Sequence, residues 1–101
     1  MASRAVELAE AGRFAESLVM FDALVQVMPH DATAHEQRAQ LLLELDLASE
    51  AVASAEHATT IQPEWAIGWL TLGRARLNAG AFGESAAALQ EALALDSALL
   101  G

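Results

Sequence analysis

The chain has 101 residues, is 54 % hydrophobic, and carries 14 acidic against 5 basic side chains for a net charge of −9. That length bounds one small unit, and the absence of cysteine excludes disulfides, thiol nucleophiles and thiolate metal sites. Nucleic acid is not an expected partner, because phosphate contacts need clustered Lys and Arg, whereas lysine is absent and the five arginines are scattered. Membrane insertion is not expected either: apolar runs such as Leu41-Leu42-Leu43 are far short of a span. Glu7 and Glu10 behind Arg4 do not resemble a secretory signal. A cytoplasmic setting is expected, with the nucleus as the alternative and secretion excluded.

Taken in chain order, the elements read as six helices. The first covers about 2–11 and ends at Gly12, a residue that tolerates the left-handed conformation closing a helix. The second covers about 14–28: Phe14, Leu18, Phe21 and Val25 fall at the three- and four-residue spacings of a helix face. Pro29 stops it by disfavouring α geometry in the residue before it. Asp31 is the expected N-cap of a third helix over about 31–44. A fourth covers about 48–61 and stops before Pro63. The fifth and sixth cover about 64–78 and 82–96. Short joints make successive helices antiparallel neighbours.

A period of thirty-four residues runs through these elements. Ala11-Gly12-Arg13-Phe14-Ala15-Glu16-Ser17 returns as Ala79-Gly80-Ala81-Phe82-Gly83-Glu84-Ser85, two periods on, and Pro29 and Pro63 lie one period apart. Such a period marks a helix-turn-helix unit that cannot bury its apolar face alone. One column holds Ala5, Ala39 and Gly73, small residues suited to close helix approach. Another holds Gly12, Asp46 and Gly80. Ser17, Ala51 and Ser85 share a third, and Glu16, Glu50 and Glu84 recur where a carboxylate favours the start of a helix. Val27, Ile61 and Leu95 close the periods.

Trp69-x-x-Leu72-Gly73, followed by Ser85-x-x-x-Leu89 and Ala92, resembles the tetratricopeptide repeat (TPR) pattern. The resemblance covers essentially the whole chain. Its departures are Arg76 in the usual aromatic place, Arg4 and Arg38 in the usual Leu place, and Ser97 for the closing Pro. It implies an all-α fold of three stacked TPR helix-turn-helix repeats forming a short right-handed solenoid. The chain then reads as a single domain, 1–101, with repeats at about 1–31, 32–65 and 66–99. The first is shortened at its front, where Met1 takes the column of His35 and Trp69. About five residues come after the last helix, too few for a full C-terminal capping helix.

The resemblance also implies a concave groove lined by the first helix of each repeat. The groove positions are Ala2, Val6, Ala9 and Glu10, then Thr33, Glu36, Gln37, Gln40, Leu43 and Glu44, then Ile67, Leu70, Thr71, Arg74, Leu77 and Asn78. Chaperone-binding TPR domains hold an acidic heat-shock-protein tail with a Lys/Asn/Asn/Lys/Arg clamp. The matching positions here are Ala2, Val6, Gln37, Ile67 and Thr71, so no clamp residue is present. With three Glu and one Arg on the face, an apolar or basic peptide or helix is the expected partner.

Catalytic and cofactor readings fail on single residues. His35-Glu36 opens like a zinc-protease motif, but Ala39 stands where the second ligand belongs. Gly83-Glu84-Ser85-Ala86-Ala87 lacks the final glycine of a nucleophile elbow, and the period puts Ser85 in a packing column. Trp65 and Trp69 lie one turn apart, but Trp69 has a packing role in the TPR pattern. No enzyme, metal or cofactor is expected. The leading function is a protein-protein interaction adaptor; the alternative is a structural repeat unit that self-associates or packs within a longer array. Its contact face would be the C-terminal end: Ala86, Leu89 and Leu93 at i, i+3, i+7 on the last helix, then Leu99 and Leu100, giving a homo-oligomer through this end.

Overall fold

A computed structural model describes residues 2–98, with side chains from residue 4. The described residues form six helices and no strand: α1 (Ala2–Glu10), α2 (Phe14–Val27), α3 (Ala32–Glu44), α4 (Ala48–Ile61), α5 (Ala66–Asn78) and α6 (Phe82–Leu95). Each sits within two residues of its expected bounds. The largest offset is at the start of α5. There Pro63-Glu64-Trp65 forms a turn closed by the Trp65 amide on the Gln62 carbonyl at 3.2 Å, and Trp65 is extended at φ −91°, ψ 105°.

Three helix ends share one cause. Gly12, Asp46 and Gly80 take φ of 80°, 60° and 83°. In each, this residue's amide donates to a carbonyl three residues back, and the next amide donates five back. Arg13 reaches Leu8 at 2.8 Å, Leu47 reaches Leu42 at 2.9 Å and Ala81 reaches Arg76 at 2.9 Å. That pairing is the Schellman closure, which satisfies otherwise orphaned carbonyls. Asp31 caps α3 as expected, its carboxylate accepting from the Ala34 amide at 3.3 Å.

Within each hairpin the small-residue column brings two helices close. Ala5 and Ala39 are fully buried, and a Cβ added at Gly73 would meet Leu89 Cδ2 at 2.6 Å. The serine column explains itself here: Ser17 Oγ donates to the Ala5 carbonyl at 2.6 Å, and Ser85 Oγ to the Gly73 carbonyl at 2.7 Å. Ala51 holds that place in the middle hairpin and is fully buried without a hydroxyl. The core runs from a bulky cluster of Phe21, Leu24 and Leu41 with Ala5 to smaller clusters centred on Leu72 and Leu42, packed against alanines. Fully burying each Phe or Leu stabilises by about 1.5–3 kcal/mol.

The hairpins are joined by a second repeated device. His35 Nε2 lies 3.0 Å from the Pro29 carbonyl, and Trp69 Nε1 donates to the Pro63 carbonyl at 2.7 Å. A carbonyl only accepts, so His35 carries its proton on Nε2. The arginines that depart from the family pattern supply polar ties. Arg38 Nε donates to Asp22 at 2.8 Å and its Nη1 to Ser54 Oγ at 2.6 Å, so one side chain of α3 binds α2 and α4. Arg76 on α5 reaches Glu56 of α4 at 3.6 Å and the Glu84 carbonyl of α6 at 3.1 Å.

Candidate peptide-binding groove

The odd-numbered helices lie side by side: α3 touches both α1 and α5, whereas α2, α4 and α6 make no such contact with one another. The α1–α3–α5 side is therefore the inner face of the stack. It holds an open depression of about 430 Å³, walled by Val6, Ala9 and Glu10 of α1, Phe14 and Phe21 of α2, Gln37, Gln40, Leu41 and Glu44 of α3, and Arg74 of α5.

Seven of the expected groove residues, Val6, Ala9, Glu10, Gln37, Gln40, Glu44 and Arg74, thus meet in one place. Glu36 has a different position from the free acidic group expected of it. It is 3 % exposed, accepts from Thr71 Oγ1 at 2.7 Å and from Gln40 Nε2, and so fastens α3 to α5. Leu43 is half-buried against Leu42, Ala51 and Ala75. Ile67, Leu70, Leu77 and Asn78 lie on α5 away from these walls, the first two half-buried and the last two exposed. Phe14, Phe21 and Leu41 were not among the expected groove residues. Phe21 and Leu41 belong to the core, 1 % and 3 % exposed, and back the depression from beneath, so its accessible apolar surface is the half-buried Val6, Ala9 and Phe14.

Glu10 and Glu44 are exposed on the rim, and neither they nor Arg74 form an ion pair among the described residues. Gln37 Oε1 is buried without a hydrogen-bond partner. Elsewhere among the described residues two ion pairs tie helices (Arg38–Asp22, Arg76–Glu56) and two are local; of these Arg13 holds Glu16 at 2.6 Å, and that hydrogen bond lowers the Glu16 pKa from its ordinary value.

The chemistry discounted in the sequence is engaged in structure. Ser85 spends its proton on Gly73, and His35 is buried, bonded to Pro29 and stacked on His57 with centroids 4.9 Å apart. Among the described residues no three His, Cys, Asp or Glu side chains group as metal ligands, and no helix is long and apolar enough to cross a membrane. On α6, Leu89 is half-buried, Leu93 is 40 % exposed and Phe82 is 69 % exposed. Leu99 and Leu100 lie outside the described residues.

Three helix pairs, the periodic left-handed closures and the Trp69-Leu72-Gly73 packing make the chain a tetratricopeptide repeat protein. It is similar to tetratricopeptide repeat protein 33 of Danio rerio, with 45 % identity over 69 residues, covering 68 % of this chain and 26 % of that protein. The Hsp70-Hsp90 organizing protein of Triticum aestivum is 35 % identical over 86 residues, 85 % of this chain and 15 % of that protein. The chain thus matches about a quarter or less of the length of these relatives. No family model matches it. Among solved structures, the second TPR of Spaghetti bound to the HSP90 peptide SRMEEVD superposes with a TM-score of 0.88 at 17 % identity, over 93 % of this chain and 87 % of that one. The Sgt2 TPR domain of Aspergillus fumigatus gives 0.89 at 17 % identity, over 94 % and 63 %. These structures share the fold.

Proposed function

We propose that this chain is a protein-interaction module that holds a partner peptide or helix in its concave groove. The observation that carries the reading is the open depression on the inner face, with Val6, Ala9 and Phe14 as accessible apolar surface and polar side chains as rim. An open pocket of that size, lined about equally by apolar and by polar residues, suits a side chain of a partner rather than chemistry. The Spaghetti TPR is bound to an acidic HSP90 peptide. This chain has Val6, Gln37, Ile67 and Thr71 in the clamp positions, and Thr71 is already bonded to Glu36. An acidic tail would meet Glu10 and Glu44 with Arg74 as its one cation on the pocket wall. An apolar or basic peptide is therefore the preferred ligand, and no catalytic role is assigned. Fluorescence anisotropy with labelled SRMEEVD tests the exclusion: binding at micromolar concentration or tighter would overturn it.

A second reading rests on α6. Phe82 and Leu93 are 69 % and 40 % exposed and share one side of the helix with the half-buried Leu89, an apolar face that association would cover. Sedimentation across a wide concentration range, with Leu89→Glu and Leu93→Glu, tests it. A monomer indifferent to both substitutions removes self-association.

A further inference from the structure

The inner-face depression has an uncompensated negative end. α1 finishes at Glu10 and α3 at Glu44, and both carboxylates wall the same pocket. Neither helix has a basic residue in its last turn, whereas α5 has Arg76 there. A helix C-terminus carries partial negative charge, so an acidic side chain at that end is unfavourable and a cation is favoured. The chain therefore sets two carboxylates against two helix dipoles at one rim, with no ion pair among the described residues to offset them. The same pocket presents Val6, Ala9 and Phe14 as its accessible apolar wall, backed by the buried Phe21 and Leu41.

Resting on the groove reading above, the geometry points to one occupant: a partner segment that seats a bulky apolar side chain against Val6, Ala9 and Phe14 and places a neighbouring Arg or Lys between Glu10 and Glu44. Glu36 takes no part, because Thr71 and Gln40 hold its carboxylate inside the α3–α5 contact. Arg74 opposes the incoming cation, so it sets the side from which the segment enters.

The test is selection of a random dodecapeptide library on the whole chain, followed by anisotropy with the selected peptides. The expected peptides pair Arg or Lys with a bulky apolar residue. They should bind about three- to tenfold more weakly to Glu10→Gln/Glu44→Gln, lose affinity as salt rises, and bind Arg74→Gln at least as tightly. Far-ultraviolet circular dichroism confirms that the double variant is folded, and Glu44→Lys repeats the test with one change. Gln40→Trp, a neutral residue filling the pocket, should abolish binding. If peptides are displaced by Gln40→Trp yet carry acidic flanks or ignore both glutamates, the cation assignment is overturned while the groove reading stands. If Gln40→Trp displaces none of them, both fall.

Discussion

Gly73→Ala offers a sharp test of how α5 and α6 approach, because two opposing effects of known size meet at one atom. Replacing an interior helical Gly by Ala stabilises by about 0.8–1.0 kcal/mol through propensity. The added Cβ would stand 2.6 Å from Leu89 Cδ2 and 2.8 Å from Leu89 Cγ, while the Ser85 carbonyl at 3.4 Å is barely tight. Such overpacking costs about 1–3 kcal/mol. The substitution should therefore lower stability by about 0–2 kcal/mol. In a Leu89→Ala background the clash is gone, the propensity gain remains, and the same change should stabilise by about 1 kcal/mol. The coupling energy between the two sites is then about 1–3 kcal/mol. Urea unfolding followed at 222 nm on the four proteins measures it. A Gly73→Ala variant more stable than wild type would show that Leu89 yields freely. An equal loss in both backgrounds would place the obstruction in the backbone of α6 instead.

Gly68 is the contrasting site: a Cβ there sits 3.4 Å from the Trp65 ring, and Ala34 already fills the same column one period earlier, so Gly68→Ala should stabilise by about 0.5–1 kcal/mol in the same urea assay. Ser17→Ala should cost about 0.5–1.5 kcal/mol by removing the buried bond to the Ala5 carbonyl, with no loss of helix signal in the native state. Glu10→Gln and Glu44→Gln should each raise stability in thermal melts by about 0.3–1 kcal/mol, since each removes an acidic group from a helix C-terminus. Glu16 should titrate below the ordinary carboxylate range by NMR and return to it in Arg13→Ala. Its folded pKa is depressed, so its small contribution is present above the unfolded value and is lost as pH falls through the folded one.

Helix ends were legible wherever one residue type has one physical reason to stand there. Pro29, Pro63, Gly12, Gly80 and Asp31 each ended or began an element as their backbone chemistry requires, and Asp46 was recognisable as a third left-handed position because it shares the glycine column. Glu36 was less legible. Its groove position was implied by the TPR resemblance, but its bond to Thr71 joins different columns of neighbouring hairpins, and only packing brings them together. The depression was hidden for a related reason. Phe21 shares a column with Ala55 and Leu89, which marks its packing in the core and says nothing of the depression that forms above it. Arg38 stood out as a break in the pattern, yet Asp22 and Ser54, sixteen residues to either side, carried no local signal of being its partners.

The Arg38 bridge changes what kind of unfolding unit the chain is. In an array whose hairpins touch only their neighbours, stability is a sum of independent unit and interface terms, and an end hairpin frays alone. Arg38 belongs to two interfaces at once, holding Asp22 on one side and Ser54 on the other while itself half-buried. Detaching α2 removes its carboxylate and leaves a guanidinium in a partly desolvated place against a neutral hydroxyl, so loss of the first hairpin also weakens the α3–α4 contact inside the second. Where an apolar side chain such as Leu72 would let the two interfaces open separately, the arginine makes them cooperative.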